Sequence, residues 1–95
     1  MTIPPEMGRV VIEEQLRAGE YAGTFAVLRT PFTWMSVLTA DRIGLICTCG
    51  NTAEKACIAL AETFEDRADA ERDTALSNFY TEVARAAAAW SERPF

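Results

Sequence analysis

Two groups of residues in this chain could do chemistry beyond packing: three cysteines and a run of acids. Cys47, Cys49 and Cys57 could supply three thiolate ligands to a zinc ion. Their spacing is not the two-residue knuckle of structural zinc sites, no histidine occurs to give a fourth ligand, and Cys57 falls on an apolar helical stripe. An odd number of thiols also argues against a disulfide framework, so the cysteines read as reduced and buried. Cys47 lacks a histidine base to make it a nucleophile. The expectation is no catalytic residue, no metal site and no cofactor.

The acids are the stronger signal. Between positions 62 and 73 stand Glu62, Glu65, Asp66, Asp69, Glu71 and Asp73 against Arg67 and Arg72, which accounts for four of the five net negative charges. Paired carboxylates, here or at Glu13-Glu14, do acid-base work only where their surroundings drive two pKa values apart, and a solvated helix face does not. Asp69, Glu71 and Asp73 are expected at the start of the last helix, where each complements the dipole by about 0.3 to 1 kcal/mol. Glu62, Glu65 and Asp66 are expected at the end of the preceding helix, where the dipole opposes them. Their presence there points to a basic partner steered by complementary charge, and all six are candidate partner-binding residues. Asp41-Arg42 interrupts an apolar segment and reads as an ion pair within a helix or at the core edge.

The elements that must carry these residues are clearest in the second half. Ala53, Ala56, Cys57, Leu60, Ala61, Phe64 and Ala68 recur at steps of three and four, which predicts a helix from about Thr52 to Arg67, with Asn51 as N-cap and Glu54 reaching back to it. Leu76, Phe79, Tyr80, Val83, Ala84, Ala87 and Trp90 predict a second helix from about Asp73 to Glu92, ending before Pro94. On one continuous rod the two stripes would lie about 160° apart at about 100° per residue. The chain therefore turns within 66–73 to form an antiparallel hairpin with the acids at its elbow.

The first half admits two readings. Pro5 can open a helix, Met7, Val10, Val11 and Ala18 share a face and Gly19 suits the position after a helix, yet Val10, Ile12 and Leu16 also fit an interrupted strand. Tyr21 to Arg29 is a short apolar run. Thr30-Pro31 reads as an N-cap with Pro at the first helical position, opening a segment through Trp34, Leu38 and Leu45 towards Gly50. The rival is a β-hairpin of 32–39 and 43–48, favoured by Thr, Val, Ile and Trp but with a turn, Ala40-Asp41-Arg42, that lacks Gly or Asn.

Thr39-Ala40-Asp41-Arg42-Ile43-Gly44-Leu45-Ile46-Cys47, followed by Gly50-Asn51 and by Ala56, Ala59 and Leu60, resembles a helical segment that follows the catalytic helix of HtpX-type zinc metallopeptidases. The resemblance covers about a third of the chain and implies helix over 31–49. It does not carry the family's chemistry: the third zinc ligand's position holds Val37, and the HExxH motif is absent for want of histidine.

The resulting expectation is one domain, mostly α, a bundle of four to five helices ending in the hairpin. The alternative is α+β, with a small antiparallel sheet over 24–49. With 95 residues, 49% hydrophobic and 24% charged side chains, no basic stretch followed by an apolar run at the start and no long apolar span, the expectation is a cytoplasmic globular protein that binds no membrane. A net charge of −5 disfavours nucleic acid, whose backbone requires clustered bases. The expected function is non-enzymatic binding to a basic protein surface, in the manner of immunity proteins, secretion chaperones or phage-encoded inhibitors such as anti-CRISPR proteins. A homodimer stays open. The alternatives are a degenerate metallopeptidase-like helical subunit and a thiol or metal-binding protein using the three cysteines.

Overall fold

A computed structural model describes residues 9–93. Four strands come first, β1 (Arg9–Ala18), β2 (Tyr21–Arg29), β3 (Trp34–Ala40) and β4 (Gly44–Gly50), followed by two helices, α1 (Ala53–Ala70) and α2 (Thr74–Ser91). The strands form an antiparallel meander in the order β1-β2-β3-β4, so β1 and β4 are its edges. Both helices pack on one face, α1 over β3 and β4 and α2 over β1 and β2. This α+β architecture replaces the expected bundle of four to five helices. The sheet alternative over 24–49 is nearer, but the sheet starts at Arg9.

Helix over 31–49 fails for a tertiary reason. Thr30 does perform N-cap chemistry: its Oγ1 accepts from the backbone N–H of Thr33 at 2.9 Å and of Phe32 at 3.2 Å. It closes the β2–β3 turn, however, and the chain leaves as a strand because β3 is buried on both faces. Phe25, Val27 and Leu38 face the helices, while Ala26, Leu28 and Val37 form a second, smaller cluster on the opposite face; all six have 0% exposure. A strand buried on both sides reads as an unbroken apolar run, which periodicity cannot separate from a buried helix. The β3–β4 turn does use a glycine, beyond the Ala40-Asp41-Arg42 in which one was expected: Ile43 N–H donates to Ala40 O at 3.2 Å, and Gly44 takes a φ of 90°.

The helix expected before Gly19 is also a strand. β1 alternates exposed and half-buried residues from Val11 to Ala18, with Ile12, Glu14, Leu16 and Ala18 inward. Gly19 sits in the β1–β2 turn at a φ of 61°. Pro5 and Met7 lie outside the described residues. Asp41 and Arg42 are neither helical nor at the core: both are exposed in the β3–β4 turn, where Arg42 reaches Glu20 at 3.5 Å and stacks over Tyr21.

The helical hairpin has the expected stripes with shifted ends. Thr52, not Asn51, caps α1, its hydroxyl accepting from Lys55 N–H at 3.1 Å. α1 continues to Ala70, three residues past the expected Arg67. Ser77 Oγ donates to Ala68 O at 2.8 Å and ties the two helices near their turn. Leu60, Phe64, Phe79 and Val83 are fully buried against Phe25 and Leu38. Trp90 Nε1 donates to Glu14 Oε2 at 2.7 Å, fixing the far end of α2 to the β1 edge. Among the described residues no helix is long and apolar enough to cross a membrane.

Leu60→Ala and Phe79→Ala should each lower unfolding free energy by about 2 to 5 kcal/mol in urea titration, since each leaves a cavity in the layer interface. Phe32→Ala, at a side chain 95% exposed, should change it by less than about 0.5 kcal/mol. Gly50→Ala should destabilise as a core change does, because a Cβ there would stand 2.7 Å from Ala56 N and 2.8 Å from Lys55 Cβ.

Candidate partner-binding surface

Four of the six candidate acids stand together and two do not. Glu62, Glu65, Asp66 and Asp69 all lie on α1, at positions i, i+3, i+4 and i+7, and all are exposed. That spacing gathers them into one stripe on the face turned away from the sheet. Among the described residues none of them forms an ion pair. Arg67 lies over the rings of Phe64 and Tyr80, 5.9 Å from each centroid, and Arg85 is bound to Glu82 at 2.7 Å.

Glu71 and Asp73 have local structural work. Asp73 is the N-cap of α2, Oδ1 accepting from Ala75 N–H at 3.0 Å and Leu76 N–H at 3.3 Å, while Glu71 Oε1 accepts from Asp73 N–H at 3.1 Å. Asp69 is not at the start of the last helix as expected, because α1 extends past it. The dipole therefore accounts for Asp73 alone and disfavours Asp66 and Asp69 at the end of α1.

A shallow groove of about 500 Å³ runs between the outer faces of the helices, with Glu65 and Asp69 on one wall and Ala84, Arg85 and Ala88 on the other. The groove is open because alanine is small. The run Ala86–Ala89 thus divides its roles: Ala87 is buried against the sheet, and Ala88 opens the groove. Spacing and charge single out the acids but not Ala84 and Ala88, whose place in a groove depends on how closely the two helices lie. A guanidinium entering between Glu65 and Asp69 would meet two carboxylates above an apolar floor, an arrangement suited to arginine.

The cysteines divide across the sheet. Cys47 and Cys49 are exposed, on the face of β4 opposite the helices, since Ile46 and Thr48, which alternate with them, point to the helical layer. Cys57 is buried under α1 beside Ser36 of β3, so the sheet stands between it and the other two. The expectation of three buried thiols holds for one of them. Burial pushes the Cys57 thiol above its ordinary 9.0, and the Ser36 hydroxyl opposes this more weakly. Ser36 Oγ makes no hydrogen bond of ordinary geometry, so its contact with the thiol is a weak one. Among the described residues no group of three His, Cys, Asp or Glu side chains could hold a metal ion. The chain matches no family model, no curated protein and no solved structure.

In the folded protein at pH 8, a disulfide reagent such as DTNB should titrate Cys47 and Cys49 rapidly and Cys57 only after denaturant is added. The folded state resists losing the Cys57 proton while the unfolded chain releases it near 9.0, so stability should fall as pH rises above that value. Cys57→Ala should remove that alkaline component of the denaturation profile.

Proposed function

We propose that the protein is a non-enzymatic binder whose acidic helical face docks on a basic surface of another protein. The observation that carries this reading is the stripe of Glu62, Glu65, Asp66 and Asp69: four exposed carboxylates on one helix, without ion pairs among the described residues, two of them lining a groove. Keeping four like charges at three- and four-residue spacing destabilises an isolated helix by a few tenths of a kcal/mol per pair. A basic partner would offset that repulsion and gain a faster encounter from the same field. The groove adds specificity, since arginine can span both carboxylates whereas a lone ammonium contacts them as a point charge.

The test starts from affinity capture in the source cell with wild-type protein and with the Glu62→Lys, Glu65→Lys, Asp69→Lys triple variant. A protein retained by the first and lost by the second is then purified and its association rate measured against ionic strength. Wild type should associate several-fold more slowly at high salt, and the triple variant should be slow at every salt concentration. The helical signal should be unchanged, because exposed substitutions cost within about 0.5 kcal/mol each. Equal rates for both proteins across the salt range would place the binding surface elsewhere.

A further inference from the structure

The two edges of the sheet are built differently. β1 carries Arg9, Glu13, Glu14 and Arg17, the charges that keep an edge strand from pairing with another chain. β4, Gly44-Leu45-Ile46-Cys47-Thr48-Cys49-Gly50, has no charge and no proline, and Leu45, Cys47 and Cys49 are exposed along it. An uncharged edge strand presents open backbone donors and acceptors to a partner strand.

We propose that β4 pairs with β4 of a second copy of this chain, antiparallel about a two-fold axis at Cys47, to make one continuous eight-stranded sheet. Cys47 is the middle residue of β4, so the axis sets it opposite its own counterpart and sets Leu45 opposite Cys49 of the second copy. Charge complementarity on the neighbouring helix selects a second copy over an unrelated strand. α1 begins above Gly50, with Lys55 and Ala56 against that glycine, and runs back along β4, where Thr48 Oγ1 donates to Ala56 O at 2.8 Å. The three residues from Gly50 back to Cys47 cover about 10 Å, equivalent to about six residues of helix, which places the axis near Leu60 to Glu62.

Antiparallel α1 helices related by that axis bring Lys55 of each copy beside Asp66 of the other. Both side chains are exposed, and among the described residues neither forms an ion pair within one copy. The α1 flank between them carries Ala59 and Thr63, half-buried and small. Because α1 lies over both β3 and β4, two such helices come to about 8 to 10 Å apart, the ordinary packing distance, which small side chains permit. The dimer also leaves Glu62, Glu65 and Asp69 of both copies on the same side of the extended sheet, although the pairing itself does not depend on what they bind.

Sedimentation equilibrium of the full chain, from micromolar to millimolar, should show a reversible dimer. Lys55→Glu or Asp66→Lys alone should weaken it about tenfold through two symmetric contacts, and the double charge swap should restore it. Leu45→Lys should give a folded monomer. With diamide as oxidant, which takes up the two electrons and two protons of two thiols, the Cys49→Ser variant should form the Cys47–Cys47 disulfide readily. The Cys47→Ser variant should not cross-link through Cys49, because the two Cys49 positions would be about 13 Å apart, beyond disulfide reach. A monomer throughout that range would overturn the proposal. So would a dimer indifferent to Lys55 and Asp66, or one in which Cys49 cross-links as fast as Cys47.

Discussion

The structure depends on one apolar seam, where Phe25, Val27 and Leu38 of the sheet meet Leu60, Phe64, Phe79 and Val83 of the helical hairpin with no exposure to water. Burying a side chain of this size stabilises by about 1.5 to 3 kcal/mol, and neither layer has another place to do it on that scale. A hairpin of two helices cannot bury its stripes alone, and a bare meander would leave this face wet. Strand register and helix position are therefore set together. Two close approaches mark the fit: Phe79 comes within 3.2 Å of where a Cβ on Gly23 would stand, and the first turn of α1 rests on Gly50.

Polar groups at the margins of the seam fix orientation where packing alone would allow sliding. Trp90 bonded to Glu14 anchors α2 over β1, Thr48 bonded to Ala56 O anchors α1 over β4, and Ser77 bonded to Ala68 O holds the helices together near their turn. Each bond ties elements distant in sequence or on opposite sides of a turn, so each selects one arrangement at a net gain of about 1 kcal/mol, more where a charge takes part. With the inner faces committed in this way, the outer face of α1 is free to carry like charges whose repulsion is small against the seam. The acidic stripe and the stable core are in that sense complementary uses of one helix.

Whatever is encoded over a few neighbouring residues was legible in the amino-acid sequence. The helical stripes of α1 and α2, the turn between them and the excess of acids near it come from spacing at three and four and from charge, which need no tertiary partner. The cap chemistry of Thr30 was also legible, though the same hydroxyl geometry serves a helix start and a strand-to-strand turn. Folding in three dimensions decided that Phe25 to Leu28 and Ser36 to Ala40 are strands, because burial on both faces erases the alternation by which a strand is recognised. It also decided which acids form a surface: Asp73 caps a helix, Glu71 braces the turn, and Glu65 and Asp69 line a groove whose other wall lies about fifteen to twenty-three residues further along the chain. The division of the cysteines across a sheet is likewise beyond local reading, since the side of a strand on which a residue falls is fixed by register and by the layer that covers it.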